Sequence, residues 1–420
     1  MLFWLIETKD QLSKFSNRGY TKAFIDIIPY NPWDNAVENN ICALYIKPLD
    51  SNKSFIFPIK HNESFCVELD EVEKLIDSLE IVYSRDKKEL LHYITHKNIV
   101  DITFDKDYIL EYTPCHNFFY SRHNNHKEIN TIIPISKHYE LCNKVFNDLK
   151  PRIDQPVNNF YNKKTSLVFN YIERSGIKIN PKYFNEFFYE TDKNVVYTKY
   201  NIKTLTSRPS NHFHKINFAA LNKENGCRKS FIPSNDMFVE LDITAYHPVL
   251  LATLIDFKFD NPDIHGEFAK MYGVDYNKSK HITFQMLYGE IFDQYKNLKY
   301  FSKVQRYKDK IWRDFNENGY VECPITKYRF EKSKLDNINA SKLLNYIIQN
   351  LETSTNVNML WEIIKILRNK KTKIVLYVYD SILLDFDESE QDTLDAIKNV
   401  FRLKDLSIKE KIGYNYHDLK

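Results

Sequence analysis

Two stretches far apart in this chain each end a short strand on a carboxylate, and together they constrain the fold more than any other feature. The first is MFVELDITAYHPVLLA, Met237 to Ala252, an apolar-rich strand reaching Asp242, then a turn, then an apolar segment that opens a helix. The second is KIVLYVYDSILLDF, Lys373 to Phe386, where two β-branched and aromatic runs flank Tyr379-Asp380-Ser381. That is the pattern of a tight hairpin with an acid at its tip. A strand end is rigid, so two such ends brought together can share a pair of divalent cations.

At 420 residues, 43% apolar and 15% aromatic, the chain has enough material for two or three domains with sizeable cores. Its net charge of +3 gives only a weak overall field, so any affinity for nucleic acid must come from local clusters of Lys and Arg. One such cluster runs from Lys296 to Arg313 (Lys299, Lys303, Arg306, Lys308, Lys310) and reads either as a template-phosphate contact or as a solvated helix face. The six cysteines (Cys42, Cys66, Cys115, Cys142, Cys227, Cys323) are scattered without CxxC spacing. That pattern predicts neither a zinc knuckle nor a disulfide framework, and it fits a reducing compartment. The opening MLFWLIE lacks a basic leader, and no apolar run approaches the roughly 20 residues of a membrane span. The expectation is a soluble, cytoplasmic protein without a membrane partner.

From Tyr20 to Pro58 the runs TKAFIDIIPY, ICALYIKPL and SFIFPI read as consecutive strands separated by turn residues, an antiparallel meander. Asp70–Leu79 and Lys87–Ile94 read as helices, NIVDITF as a further strand, and this α/β domain is expected to close near Asn158. From Ser166 to Phe188 a helical period is broken by Gly176 and Pro181.

The second half carries several elements in a fixed order. They are Glu173-x-x-Gly176-Ile177 followed by Asn180-Pro181; Thr204-Leu-Thr-Ser-Arg208-Pro-Ser; Asn217; Arg228-Lys-Ser-Phe231; the Asp242 strand; Asp263-Ile-His265; Lys280-x3-Phe284-x3-Tyr288-Gly289; Gly319-Tyr-Val; Asn345-x3-Gln349; and Asp380. Lys280, Phe284 and Tyr288, four apart, stack on one helix face. In this order and spacing, residues from about 160 to 420 resemble the polymerase domain of family A DNA polymerases, those like bacterial DNA polymerase I. The resemblance implies an antiparallel palm sheet with flanking helices, and DNA-directed DNA synthesis with magnesium. In it Asp242, the carbonyl of Ile243 and Asp380 hold two Mg²⁺ ions, and Lys280 stabilises the charge developing on the triphosphate. His247, His265, Phe284 and Tyr288 bound the nucleotide pocket. Arg208, Asn217, Arg228, Asn345, Gln349 and Tyr379 meet the primer–template. Residues 1–158 resemble the ribonuclease-H-like 3′–5′ proofreading domain that precedes this polymerase domain, which makes the whole an α/β chain of two domains, 1–158 and 159–420.

The departures matter as much. The exonuclease pattern needs Asp-x-Glu and Tyr-x3-Asp, but here Ile28 follows Asp26 and Asn143 follows Tyr139, so its metals would lack ligands and proofreading is expected to be lost. Between Ile177 and Thr204 stands a short connector where the family inserts a helical thumb. Fewer phosphate contacts imply a weak grip and call for a processivity or replisome partner. Tyr276 replaces an Arg, with Lys278 as a substitute, and His247 replaces the Glu that blocks a ribose 2′-hydroxyl. Ser381 follows Asp380 where the family has Glu, and Glu240, two before Asp242, is a candidate third acid on the same strand face. The leading expectation is a DNA polymerase using deoxynucleoside triphosphates in the replication of a virus or mobile element. Its rivals are a catalytically silent nucleic-acid-binding or assembly subunit and a primer- or RNA-synthesising polymerase.

Overall fold

The computed structural model describes residues 3–31, 34–62, 64–103, 116–120, 127–153, 155, 161–212 and 216–420. Cys115, Phe104 and the expected boundary at Asn158 lie outside the described residues. The chain divides into two compact units, Met1–Arg174 with Tyr197–Lys199, and Ser175–Val196 with Tyr200–Lys420. The helix Ser166–Ser175 therefore belongs with the first unit, and the reason is electrostatic. Its Glu173, buried, accepts from Lys88 Nζ at 2.6 Å and meets His92 Nε2 at 2.7 Å.

In the first unit a six-stranded sheet runs, in spatial order, Trp4–Leu5, Phe55–Pro58, Ile41–Pro48, Lys22–Pro29, Ile81–Ser84 and Ile99–Asp101. The three strands Phe55–Pro58, Ile41–Pro48 and Lys22–Pro29 pair antiparallel, and Ile81–Ser84 and Ile99–Asp101 continue parallel to Lys22–Pro29. The central strands are nearly continuous apolar runs because both faces are covered. Alternation sends Ala23, Ile25 and Ile27 towards the helix Leu69–Asp77, and Phe24 and Ile28 towards the helix Ile135–Leu149. The helix expected over Lys87–Ile94 is a single turn, Lys87–Leu90, capped by Asp86, and the chain then continues in three-residue turns. The cysteine spacing predicts no disulfide framework, and Cys42 is nonetheless disulfide-bonded.

In the second unit a four-stranded, fully antiparallel sheet is ordered Lys373–Val378, Ser381–Phe386, Met237–Ile243, Ile408–Gly413. The 27-residue helix Ala340–Ile366, capped by Asn339, packs against the helices Tyr246–Leu254, Tyr276–Tyr288, Lys299–Asn318 and Gln391–Arg402. Gly176, left-handed at φ 65°, turns the chain after Ser175, and Asn180 caps the helix Pro181–Phe187 with Pro181 at its first position. The connector Asn180–Lys203 holds that one short helix and the two-residue strands Val195–Val196 and Tyr200–Asn201, with no helical insertion. Among the described residues no helix is long and apolar enough to cross a membrane.

Candidate active site

Pairing register brings the two acids together. Met237–Ile243 and Ser381–Phe386 are antiparallel with Asp242 opposite Ser381, and Ile243 N–H donates to Asp380 O at 2.9 Å. Both carboxylates thus stand at the same end of the sheet, Asp242 next to the last residue of its strand and Asp380 in the hairpin turn. Each turn contains a left-handed residue other than glycine, Ala245 at φ 52° beginning the helix Tyr246–Leu254 and Tyr379 at φ 58° in the hairpin. Such a conformation costs about 1–2 kcal/mol and persists only where surroundings impose it.

The imposing residue is Asn356, from the long helix. Its Nδ2 donates to Tyr379 O and to Tyr377 Oη, both at 2.8 Å, and its Oδ1 accepts from Tyr246 Oη at 2.8 Å. One amide therefore clamps both turns. Arg208 lies over the Tyr379 ring at 3.7 Å and reaches Glu352 Oε1 at 3.3 Å. Glu352, fully buried, also accepts from His247 Nε2 at 2.8 Å. With Nε2 carrying the proton, His247 Nδ1 is the acceptor, and Tyr288 Oη donates to it at 2.7 Å. Burial, opposed by Arg208 and aided by Glu352 and Asp380, pushes the Tyr288 hydroxyl up to about 12, so it stays a donor at neutral pH.

Tyr288 ends the helix that carries Lys280. The helix begins at Tyr276 on an Asp275 cap and stops at Gly289, where an added Cβ would lie 2.8 Å from Gln285 O. Phe284 stacks on Tyr288, with centroids 5.7 Å apart and planes 17° apart, and its other neighbour is the buried His265, 5.9 Å away. Burial and the Lys280 ammonium hold His265 below its usual pKa, so it is neutral at pH 7. Asp263 is used locally as the cap of the helix Ile264–Tyr272.

At the acids, Lys411 on the edge strand places Nζ 2.5 Å from Glu240 and 3.1 Å from Asp242. Ser381 Oγ donates to the other Glu240 oxygen at 3.0 Å. Glu240 is thus engaged by two partners, whereas Asp242 keeps over a third of its side chain exposed. Asp380 is solvent-exposed at the turn, yet the packed protein behind it and the Asp242 carboxylate push its pKa up. The donors gathered here are carboxylate oxygens, the hard ligand type that magnesium takes, and the Lys411 ammonium already answers their negative charge.

The other expected residues fall less centrally. Gln349 donates to Asn345 at 3.2 Å on the long helix, one turn before Glu352. Asn217 is exposed at the start of a short 3-10 turn. Arg228 donates to Leu221 O at 3.1 Å and covers the Tyr416 ring at 4.6 Å. Within the basic helix, Lys308 is buried with Nζ 3.5 Å from Gly289 O, so it supports the end of the Lys280 helix. Glu352, Asn356 and Lys411 were missed in the sequence. The first two had a weak signal, because Asn345, Gln349, Glu352 and Asn356, spaced four, three and four apart, fall on one face of the helix Ala340–Ile366.

The fold is similar to that of a solved polymerase domain. Among solved structures, the chain is similar to the POL domain of Pol1 from M. smegmatis in complex with DNA primer-template and dNTP, with a TM-score of 0.69 and 11% identity, covering 99% of this chain and 100% of that one. Its sequence matches no protein-family model and no curated protein.

Proposed function

We propose that this chain is a DNA-directed DNA polymerase that adds deoxynucleotides to a primer 3′-hydroxyl. The observation that carries the reading is the convergence of Asp242 and Asp380 at one sheet end, with the Lys280 helix tied to the same cluster through Tyr288, His247 and Glu352. Asp242, Asp380 and the Ile243 carbonyl are the residues to hold two Mg²⁺ ions. When bound, such ions neutralise the triphosphate and lower the pKa of the primer hydroxyl. Lys280, exposed on its helix, is positioned for triphosphate oxygens, and the Phe284–Tyr288 stack offers a platform for the incoming base. His265, neutral, serves as a hydrogen-bond partner of phosphate. Arg208, Asn345, Gln349 and Tyr379, with Asn217 and Arg228 further out, supply sequence-independent contacts to the primer–template.

A second reading, ribonucleotide use, is proposed from His247, which the resemblance puts at the sugar and which is held between Tyr288 and Glu352. The first unit is proposed to be a ribonuclease-H-like fold without proofreading. Its three antiparallel strands followed by two parallel ones support this, as do Ile28 and Asn143 where acids would be needed. The connector without inserted helices supports a processivity partner, and replication of a virus or mobile element is the role proposed for the chain.

Primer extension with Mg²⁺ on a primed template tests the reading. Deoxynucleotide incorporation that Asp380→Asn removes supports it, and incorporation of ribonucleotides alone favours the second reading. No incorporation under any condition, with DNA binding retained, leaves a silent binding subunit.

A further inference from the structure

The helix Lys299–Asn318 carries a row of cations that the proposed function does not use. Lys299, Lys303, Arg306, Lys310 and Arg313 are spaced four, three, four and three apart. At about 100° per residue they fall within an arc of about 80°, along about 21 Å of helix axis. Lys303 is half-buried and the other four are exposed. We propose that this face is a sequence-independent track for the sugar–phosphate backbone of nucleic acid, separate from the site where Asp242 and Asp380 meet.

The local structure explains why the row faces outward. Tyr300, Phe301, Val304, Ile311 and Phe315 occupy the opposite side of the helix and are buried in one core with Leu343, Leu344 and Ile347 of the long helix Ala340–Ile366. Lys308 also lies on that inner side, buried, with Nζ 3.5 Å from Gly289 O. The row therefore points away from the end of the Lys280 helix, and nucleic acid lying on it is separated from the Lys280 helix end by the thickness of this helix.

The charge is left unanswered by the protein. Basic residues on a solvated helix face are commonly paired with acids three or four positions away. Lys296, just before the helix, is held in this way by Asp293 at 2.5 Å, but Lys299, Arg306, Lys310 and Arg313 form no ion pair among the described residues. Asp309, three after Arg306 and four before Arg313, accepts instead from Gln305 Nε2 at 2.8 Å. Asp314 and Glu317, beside and beyond the end of the row, make no ion pair with it among the described residues. Lys303 Nζ donates to Asp256 O and Arg306 Nε to Ser302 O at 3.4 Å, carbonyls that leave both charges in place.

Evenly spaced like charges repel one another, and a repeating polyanion relieves that repulsion better than the irregular acids of a protein surface. One strand of a duplex carries a phosphate about every 3.4 Å of axis, so the row spans several of them. Tyr307 and Trp312 pack against the core, so the face offers charge without a stacking surface, and it holds backbone without reading bases. The proposal rests on the nucleic-acid part of the proposed function and not on its chemistry. The connector Asn180–Lys203 has no inserted helices to grip a duplex, and this track would keep nucleic acid on the chain between additions.

The test measures binding of the full chain, without nucleotides, to a fluorescent oligo(dT) strand and to a mixed-sequence duplex between about 50 and 200 mM salt. Each phosphate contact adds about 0.7 to the salt slope on a single strand and about 0.9 on a duplex, which is about five- to eightfold in Kd at 0.1 M salt. Lys299→Gln, Arg306→Gln, Lys310→Gln and Arg313→Gln combined should make the slope shallower by about 3 and weaken binding by about a hundredfold or more. All four side chains are exposed, and an unchanged melting temperature checks that the variant folds. A control removes the same charge from lysines that have acid partners, with Lys137→Gln, Lys334→Gln, Lys365→Gln and Lys371→Gln, and should keep the slope. A slope change in the row variant smaller than about 1, that of a single contact, or an equal change in the control overturns the proposal. That result would return the face to solvent or to an acidic protein and leave the polymerase reading to its own primer-extension test. No binding of either probe by the wild-type chain overturns both.

Discussion

Each unit sets an acid on a central strand, and the two acids meet opposite fates. Asp26, on Lys22–Pro29, is buried and ion-paired to Arg85 Nε at 2.7 Å, with both side chains almost wholly inside. At the neighbouring positions where a metal site would need carboxylates, Ile28 packs in the core, and Asn143 accepts from Tyr45 Oη at 3.0 Å and from Ser54 Oγ at 3.4 Å. Asp242 and Asp380 stand instead at an open sheet end, reached by solvent, with Lys411 as a partly exposed counter-charge. A guanidinium sealed beside a carboxylate occupies it permanently, whereas an ammonium at a solvent-facing edge can move aside. The difference separates a carboxylate that holds a fold together from a pair left available for chemistry.

The sharpest way to break this comparison is to exchange the chemistry on both sides. Asp242→Asn should lower primer extension by on the order of a thousandfold, about 4 kcal/mol of transition-state stabilisation. Asp26→Asn should leave extension rates unchanged, and the full chain should show no 3′–5′ degradation of the primer with or without the substitution.

Stability should respond in the reverse sense. Asp26→Ala removes the carboxylate that Arg85 Nε meets at 2.7 Å, and removing one partner of a buried pair costs about 3–5 kcal/mol. Denaturant unfolding reads that loss directly. An effect no larger than that of a surface substitution would mean that Arg85 finds water and that the first site is less closed than described.

Asp380 offers a pH test whose sign is fixed. Its pKa is raised in the folded chain, so ionisation opposes folding, and stability is lost as pH rises through the folded value. Asp380→Asn should therefore raise the melting temperature at pH 7 while removing activity. That gain should shrink as the pH falls towards 3.8 and vanish well below it, where the wild-type carboxyl is protonated in both states. A lower melting temperature for the variant at pH 7 would show that the carboxylate is satisfied by the protein.

A smaller effect is expected at Glu352, whose substitution by Gln keeps an acceptor for His247 but removes the charge facing Arg208. The cost should be about 1–2 kcal/mol of stability, accompanied by a changed ratio of ribo- to deoxynucleotide incorporation as His247 loosens.

The smallest effect concerns Ser207. It is left-handed at φ 58° and fully buried, with its hydroxyl donating to Thr206 O and accepting from Asn350. Ser207→Gly relieves about 1 kcal/mol of strain and forfeits about as much hydrogen bonding, so it should be nearly neutral. Ser207→Ala keeps the strain, loses the bonds and should cost more.

This residue also shows how much of the site was legible. The element Thr204–Ser210 was readable in the sequence, but not that Ser207 within it takes the left-handed backbone conformation glycine favours. The Asp242 strand, the Asp380 hairpin, the Lys280 helix and its end at Gly289 were all readable, because alternation, helical period and glycine sterics act within a few residues. The single turn at Lys87 was misread as a longer helix because apolar spacing continues past the point where the hydrogen bonds change to three-residue turns. Lys411 gave no warning, since a lysine on an alternating strand reads as a solvated face.

Local chemistry in the chain fixed where strands end, which residues cap helices and that two acids sit at the tips of strands, since those preferences arise from bonds and contacts spanning a turn or two. Which acid stays open and which is sealed by Arg85, and that Asn356 clamps both turns, were set by packing. These pairings join residues tens to hundreds of positions apart, and their partners become defined when the sheets form and bury them.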